Sequence, residues 1–279
     1  MSSPGNTAPI GIFDSGIGGL TILKELKKRM PDYDYVYLGD NARAPYGTRS
    51  YDTVYRYTLQ CVQWFFVQGC ELVILACNTA SAKALKTIQQ HDLPHMGTGK
   101  RVLGVLRPTT ESIGLYTKSG HIGILATNGT VNSESYVTEI KRFFPKTKVS
   151  QHACPMWVPL VENREHLGAG ADYFIQKDVE LLLQSDPQID TVLLGCTHYP
   201  LLEDKIRKFL PDSIALVSQG AIVAEKLEDY LKRHVEMEKK ISRKSNIKFF
   251  TTDSSTEFDT HADIFFDKKV RSEHVDLNV

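Results

Sequence analysis

The sequence predicts an α/β fold with two pseudo-symmetric lobes, each a mostly parallel sheet flanked by helices, and an active site in the cleft between them. Short apolar runs alternate with longer amphipathic stretches along the chain, which is typical of parallel strands covered by helices on both faces. Two strand motifs also recur: IGIFDS (10–15) returns as IGILAT (122–127), and VILACN (73–78) returns as VLLGCT (192–197). Because both pairs recur in the same order at nearly the same separation, the chain is predicted to contain an internal duplication.

The individual elements follow from the same alternation. The apolar runs predict strands at 9–13, 34–38, 72–76, 121–125, 191–194 and 247–251. The amphipathic stretches predict helices at 20–30, 51–68, 77–90, 133–144, 171–184, 201–209 and 219–239. Gly69 follows the second of these helices, where a glycine commonly ends a helix. The late segment FDTHADIFF (258–266) is predicted to be a helix that docks on the N-terminal lobe.

The motif pairs and the late strand–helix unit also predict how the lobes divide the chain. The first lobe is expected to comprise 1–98 plus 210–279, and the second lobe 99–209, with the crossover at 97–108. Ligands of parallel α/β sheets bind at the carboxyl ends of the strands. The equivalent strand ends of the two lobes are therefore expected to meet at a shared cleft.

Composition excludes several classes of protein. The chain has 279 residues, of which 42% are hydrophobic and 24% are charged, a mixture typical of a globular protein. Lys and Arg number 33 and Asp and Glu also number 33, so there is no basic excess to bind nucleic acid or a membrane surface. The start of the chain, MSSPGNTAPIG, has no apolar secretion signal. We therefore expect a cytoplasmic protein.

The five cysteines carry the first chemical clue. Their spacing contains no CxxC pair, which argues against a zinc ribbon or a redox pair and favours reduced thiols. Cys77 and Cys196 each follow a predicted strand and precede a predicted helix. A thiol at a helix N-terminus is expected to have a pKa below about 8.5. A buried cysteine is more often a small core residue, and we interpret Cys61 and Cys70 in that way, whereas Cys154 fits either role.

Two thiols in matching positions can carry out a specific reaction. One can remove a proton from one face of a carbon atom while the other delivers a proton to the opposite face, which inverts a stereocentre. The α-carbon of an amino acid is a very weak acid, so the site must hold hydrogen-bond donors around the carboxylate. Asn78, Thr79 and Thr197 lie next to the two cysteines and are suitable donors.

Five segments, in this order, resemble the motif set of the bacterial glutamate racemases, a group of cofactor-independent amino-acid racemases. They are GIFDSGIGG (11–19), GDNARAPYG (39–47), ACNTAS (76–81), ACPMWVPLVE (153–162) and GCTHYP (195–200). Related aspartate racemases share the CNTA-type element but usually lack the histidine of the last motif. His198 therefore favours glutamate over aspartate as the substrate.

The resemblance implies a role for each matching residue. Cys77 would serve the D-glutamate face and Cys196 the L-glutamate face, with Asp14 assisting the first thiol, His198 the second and Glu162 as a further acidic residue. The residues implied to bind substrate are Asp14, Ser15, Pro45, Tyr46, Gly47, Asn78, Thr79, Thr130, Thr197 and His198. In the ATNGT turn we assign the lining role to Thr130, because Thr127 can be explained as a cap.

The resemblance also implies the partners. We expect glutamate as the substrate, D-glutamate for peptidoglycan synthesis as the product, and a homodimer. No cofactor, no metal ion, no nucleic acid and no membrane partner are expected. Three alternatives stay open: a racemase of a related amino acid such as aspartate, a thiol hydrolase that uses Cys196 and His198 and gives Cys77 no role, and a two-lobed amino-acid-binding module without catalysis.

Overall fold

The computed structural model describes residues 7–277, which form ten strands and thirteen α-helices. The strands are β1 Ile10–Asp14, β2 Tyr35–Gly39, β3 Leu72–Leu75, β4 Arg101–Gly104, β5 His121–Ala126, β6 Lys148–Ala153, β7 Thr191–Gly195, β8 Ala215–Val217, β9 Ile247–Thr251 and β10 Ser272–His274. The helices are α1 Leu20–Arg29, α2 Tyr51–Val67, α3 Asn78–Lys83, α4 Leu85–Thr87, α5 Leu106–Ile113, α6 Asn128–Asn132, α7 Ser135–Phe143, α8 Trp157–Glu162, α9 Ala169–Ser185, α10 Glu203–Phe209, α11 Gln219–Arg233, α12 Val235–Glu238 and α13 Ser255–Phe266. A π-helical turn at Ile88–Asp92 and 3-10 turns at Asn41–Arg43, Leu93–His95, Glu165–Leu167 and Tyr199–Leu202 complete the elements.

Two parallel sheets organise these elements. The first has six strands in the order β10-β9-β2-β1-β3-β4, and the second has four in the order β6-β5-β7-β8. Every ladder in both sheets is parallel. The order β2-β1-β3-β4 matches β6-β5-β7-β8, so β1 corresponds to β5 and β3 to β7, as the repeated motifs predict. The predicted fold class is confirmed.

The burial of the strands explains why they appear in the sequence as continuous apolar runs. All residues of β1, β2, β3 and β7 are buried, since helices cover both faces of a parallel sheet. The helix α1 places Leu20, Leu23 and Leu26 in the core and carries three basic residues in its last turn. This packing fixes the carboxyl ends of the strands, which lead directly into the candidate functional residues.

Two strands lie in a different sheet from the one that the sequence predicts. The segment Arg101–Gly104 pairs with β3 in the first sheet, although the second lobe was predicted to begin at residue 99. The segment Ala215–Val217 pairs with β7 in the second sheet, although it was assigned to the first lobe. Both are edge strands of three or four residues, and their membership depends on pairing with distant parts of the chain. The chain thus passes between the sheets after β4 and after β8, and the exact division into lobes stays a prediction.

The long helix predicted for 219–239 is also interrupted. It ends at Arg233, and a separate short helix follows at Val235–Glu238. His234 stands between them and its Nδ1 lies 2.8 Å from the carbonyl oxygen of Tyr230.

No helix within residues 7–277 has the length and apolar character needed to cross a membrane. The sequence analysis predicts no secretion signal at the start of the chain. Residues 1–6 of that stretch lie outside the described residues.

The central strand β1 offers a test of the core. Ile12 is fully buried between two neighbouring strands. We expect Ile12→Ala to lower the free energy of unfolding by about 2–5 kcal/mol, because it removes buried methyl groups and leaves a cavity. Leu115→Ala, at a side chain that is 80% exposed, is the control and is expected to change it by less than about 0.5 kcal/mol. Urea unfolding measures both, and equal effects would contradict the described core.

Candidate active site

A cavity of about 140 Å³ lies where the carboxyl ends of strands from the two sheets meet. Its walls come from the residues that follow β1, β3, β5, β6 and β7 and from the loop after β2. The lining residues are Ser15, Ala44, Pro45, Tyr46, Gly47, Thr48, Cys77, Asn78, Thr79, Thr127, Asn128, Cys154, Pro155, Val158, Pro159, Glu162, Cys196, Thr197 and His198. Most of the residues predicted from the sequence are therefore brought together.

Cys77 forms the thiol wall on the side of the first sheet. It directly precedes α3, and its sulfur accepts a hydrogen bond from the Ala80 N–H at 3.4 Å and donates one to Ser15 Oγ at 3.4 Å. Burial raises the pKa of Cys77 to about 12, and the carboxyl group of Asp14 adds to the increase. The expectation of a lowered pKa is wrong for this thiol, because a six-residue helix supplies less stabilisation than burial removes.

Asp14 ends β1 and is 1% exposed. Its Oδ2 accepts a hydrogen bond from the Gly16 N–H at 2.9 Å, while Oδ1 has no hydrogen-bond partner within residues 7–277. Burial raises the pKa of Asp14, and the nearby His198 opposes that increase. Asp14 is not among the residues that line the cavity, and the direct substrate contact predicted for it stays a prediction. It influences Cys77 through its charge.

Cys196 forms the thiol wall on the side of the second sheet, together with a histidine and a glutamate. The Cys196 sulfur lies 3.9 Å from His198 Nδ1, and His198 Nε2 lies 3.0 Å from Glu162 Oε1. Burial lowers the pKa of His198, but hydrogen bonding to Cys196 and Glu162 outweighs burial and raises it to about 10. The imidazole is therefore positively charged at neutral pH, next to one thiol and paired with one carboxylate.

The segment that carries Thr197 and His198 packs closely against the backbone of the first lobe at Gly18. A Cβ atom on Gly18 would lie 2.4 Å from both His198 Nδ1 and Thr197 Oγ1, so only glycine fits. In the same region Thr21 Oγ1 donates a hydrogen bond to the carbonyl of Thr197 at 3.0 Å. The glycine-rich turn GIFDSGIGG thus packs against the segment that follows Cys196.

The loop that carries Pro45, Tyr46 and Gly47 is held by a buried carboxylate. Asp40 is fully buried, and it accepts hydrogen bonds from the Tyr46 hydroxyl, from Arg43 Nε at 2.7 Å and from Thr252 Oγ1 at 2.9 Å. A paired and hydrogen-bonded buried charge fixes the geometry of the groups around it. The sequence did not single out Asp40, although it lies within the GDNARAPYG motif.

The ATNGT turn differs from the prediction. Thr130 is fully buried and does not line the cavity, whereas Thr127 does. Thr127 Oγ1 accepts the Thr130 N–H at 3.4 Å and also lies 3.1 Å from Thr79 Oγ1. Thr127 therefore caps α6 and lines the cavity at the same time, which the sequence reasoning treated as alternatives. Its position corresponds to Ser15 in the repeated motif, and that correspondence could have identified it.

Other lining residues also escaped the sequence analysis. They are Ala44, Thr48, Asn128, Cys154, Pro155, Val158 and Pro159. Cys154 was left open and is one of three thiols at the cavity, where burial raises its pKa well above the usual value. Residues 7–277 contain no group of three or more His, Cys, Asp or Glu side chains that could hold a metal ion.

Comparison with known proteins decides the family. The sequence pattern of the Asp/Glu/hydantoin racemases matches residues 20–227. The chain belongs to this racemase family. It is similar to the glutamate racemase of Jannaschia sp. (strain CCS1), with 38% identity over 276 residues that cover 95% of this chain and 99% of the relative. It is also 35% identical to the Streptococcus gordonii glutamate racemase over 270 residues, covering 96% of this chain and 98% of that protein.

Solved structures of racemases resemble the whole molecule. Glutamate racemase isoform RacE1 from Bacillus anthracis matches with a TM-score of 0.89 and 33% identity, covering 98% of this chain and 99% of that one. The Francisella tularensis glutamate racemase in complex with D-glutamate matches with a TM-score of 0.86 and 29% identity, with coverage of 98% and 99%. The resemblance to glutamate racemases found in the sequence motifs is confirmed.

The pairing of His198 and Glu162 in this racemase predicts a pH dependence. The folded-state pKa of His198, about 10, exceeds the ordinary value of 6.5. The charged imidazole therefore stabilises the fold fully below about pH 6.5, and this stabilisation is lost as the pH rises toward about 10. We expect Glu162→Gln to lower the pKa of His198 and to move the loss to lower pH. Urea unfolding across this pH range and NMR titration of the His198 ring measure the two effects.

Glu225→Gln on the exposed face of α11 is the matched control, since it removes one carboxylate other than the one that pairs with His198. Its stability profile with pH is expected to follow the unmodified protein. If Glu162→Gln and the unmodified protein show the same His198 titration, Glu162 does not support the charge on the imidazole.

Proposed function

We propose that this racemase interconverts L-glutamate and D-glutamate without a cofactor, using Cys77 and Cys196 as the two proton carriers. The observation that carries the proposal is that both cysteines, which follow equivalent strands of the two sheets, line one buried cavity. The names of the relatives support glutamate as the substrate. A reaction through a planar intermediate needs one acid–base group on each side of the α-carbon.

The proposed reaction moves one proton from the substrate and one to it. In the L-to-D direction the thiolate of Cys196 takes the α-proton, and the electron pair of the broken C–H bond is delocalised into the carboxylate. The thiol of Cys77 then donates its proton to the opposite face of the carbon. This leaves Cys196 as a thiol and Cys77 as a thiolate, which is the starting state for the reverse direction. The pKa of Cys77 supports its role as the proton donor in this direction. Because that pKa is raised to about 12, Cys77 is a thiol at neutral pH before substrate binds.

The neighbouring groups support both steps. The positively charged His198 lies 3.9 Å from the Cys196 sulfur, in position to pair with the thiolate that the proposed first step uses. Asp14 has the opposite influence on Cys77, because it raises the pKa of that thiol and so helps to keep the proton that Cys77 must donate. Ser15, Asn78, Thr79 and Thr197 line the cavity and are proposed to hold the substrate, with Pro45, Tyr46 and Gly47 shaping one wall.

The wider setting is part of the same proposal. The product D-glutamate would serve peptidoglycan synthesis in the cytoplasm, and the enzyme would act as a homodimer. The substrate cavity would open between a first lobe that includes 1–98 and most of 210–279 and a second lobe built around 105–209. The alternative is a thiol hydrolase with Cys196 as nucleophile and His198 as base, since these two side chains lie within contact distance. Solvent exchange and single-thiol variants distinguish a racemase from this hydrolase.

Solvent exchange tests the reaction itself. L-Glutamate is incubated with the protein in D₂O without added cofactor, and the optical rotation and the α-¹H signal are followed together. We expect the rotation to decay to zero, with solvent deuterium appearing in D-glutamate while unreacted L-glutamate still carries its α-¹H. L-Aspartate, run in parallel, is expected to react much more slowly. Bound glutamate without any exchange would indicate a binding module and contradict the proposal.

Replacement of single thiols tests their roles. We expect Cys77→Ser and Cys196→Ser each to lower racemisation by at least about 10²-fold, because a serine hydroxyl is a far weaker acid than a thiol. Each variant should still remove a proton through its remaining thiol. Cys77→Ser is expected to eliminate a leaving group from L-configured substrate analogues, and Cys196→Ser from D-configured ones. Release of the leaving group provides the assay.

Cys70→Ser is the matched control, because Cys70 is fully buried but lies outside the cavity. Its racemisation rate is expected to stay within about twofold of the unmodified protein. A Cys77→Ser protein that interconverts both enantiomers at the unmodified rate would overturn the two-thiol mechanism. Loss of ester or amide cleavage confined to Cys196→Ser would favour the hydrolase instead.

A further inference from the structure

A closed ring of three buried hydrogen bonds joins the two lobes beside the cavity. Asn78 Nδ2 donates to Gln219 Oε1 at 2.8 Å, and the Tyr136 hydroxyl donates to Asn78 Oδ1 at 2.7 Å. Gln219 Nε2 closes the ring by donating to the Tyr136 hydroxyl oxygen. Each of the three side chains is at most 3% exposed, and of the three only Asn78 lines the cavity.

A fourth side chain fixes the direction in which the ring runs. Thr109 Oγ1 donates its single proton to the carbonyl of Val105 at 2.8 Å, and it accepts a hydrogen bond from Gln219 Nε2 at 3.1 Å. A carbonyl oxygen can only accept, and a hydroxyl has one proton to give. Both hydrogens of the Gln219 amide are therefore used, and its oxygen must face Asn78. The Asn78 amide in turn points its oxygen at Tyr136 and keeps one unused N–H.

We propose that Gln219, Tyr136 and Thr109 are positioning residues, which hold the Asn78 amide so that it presents an N–H donor, and never its carbonyl, to the cavity. The inference rests on the proposed function, in which the cavity holds a carboxylate. A carboxylate only accepts hydrogen bonds, and a donor toward it forms a strong, charge-assisted bond. A flipped amide would place its oxygen against the carboxylate and repel it.

The ring also makes this donor depend on how the lobes are arranged. Asn78 begins α3 of the first lobe, whereas Tyr136 lies on α7, Thr109 on α5 and Gln219 at the start of α11. The polarity of Asn78 is therefore set by groups from three other helices. A buried network of this kind strengthens when it is complete and loses its benefit when one member is missing.

Two substitutions that remove one hydroxyl group test the proposal. Tyr136→Phe leaves Asn78 Oδ1 without its donor, and Thr109→Val leaves the Gln219 amide without its fixed acceptor. We expect each to lower kcat/KM for glutamate about tenfold, the effect of losing roughly one hydrogen bond. The loss is expected in KM, with kcat within about twofold, because the carboxylate is held more weakly in both ground and transition state. Thr109→Ser keeps the hydroxyl and is expected to restore the unmodified KM.

A double-mutant cycle separates positioning from general destabilisation. In an Asn78→Ala background, Tyr136→Phe is expected to cause no further change in KM, because the amide through which it acts is absent. Tyr35→Phe is the matched control: Tyr35 is equally buried, and its hydroxyl donates to the carbonyl of Met30 within the first lobe. It is expected to lower stability as Tyr136→Phe does while leaving KM unchanged.

The outcomes are distinguishable. If the unmodified protein does not racemise glutamate, the proposed function fails. If it does, an unchanged KM in both Tyr136→Phe and Thr109→Val overturns the positioning role, as do additive effects of Tyr136→Phe and Asn78→Ala. Should Tyr136→Phe fail to fold, the pair Thr109→Val and Thr109→Ser decides the question alone, since equal KM values for that pair would reject the proposal.

Discussion

Parallel strands deliver their carboxyl ends to one edge of a sheet, and the two sheets of this racemase bring those edges to a single cavity. Ser15 follows β1, Cys77 follows β3, Thr127 follows β5 and Cys196 follows β7, and all four line it. Because the strand order of the second sheet repeats that of the first, the four ends form two equivalent pairs. The candidate mechanism depends on this geometry, since it places one thiol from each half of a duplicated fold at one substrate.

The two equivalent halves differ in the charged groups that lie beside their thiols. The first thiol has a raised pKa and a buried carboxyl group beside it, whereas the second lies beside an imidazole with a pKa near 10 that pairs with Glu162. Environments that separate the pKa values of neighbouring groups assign acid and base roles at neutral pH. Two equivalent strand ends thus carry thiols in different surroundings, and the difference comes from residues that the repeats do not share, such as Asp14 and His198.

The sequence predicted the features that depend on neighbouring residues in the chain. Apolar runs located most strands, and the motif pairs located both thiols and the threonine and serine at equivalent strand ends. The sequence did not assign the edge strands β4 and β8 to the sheets that they join, because three or four residues carry little signal and pairing with β3 or β7 decides their sheet. The pKa of Cys77 was predicted in the wrong direction because burial, which depends on the whole fold, outweighs one short helix. The ring of hydrogen bonds around Asn78 joins residues 58 and 141 positions apart, a separation that no motif encodes.

Several of the contacts that join the lobes around the cavity are hydrogen bonds. Thr21 bonds to the Thr197 carbonyl on one side, Thr79 lies within hydrogen-bond distance of Thr127 on another, and Asn78 joins Gln219 and Tyr136 on a third. Each such bond contributes only about 0.5–1.5 kcal/mol net, because water can replace either partner when the bond opens. Closing them, in contrast, excludes water and strengthens every charge interaction inside the cavity. These hydrogen bonds therefore help to keep water out of the cavity, and it is burial that raises the pKa of the Cys77 thiol.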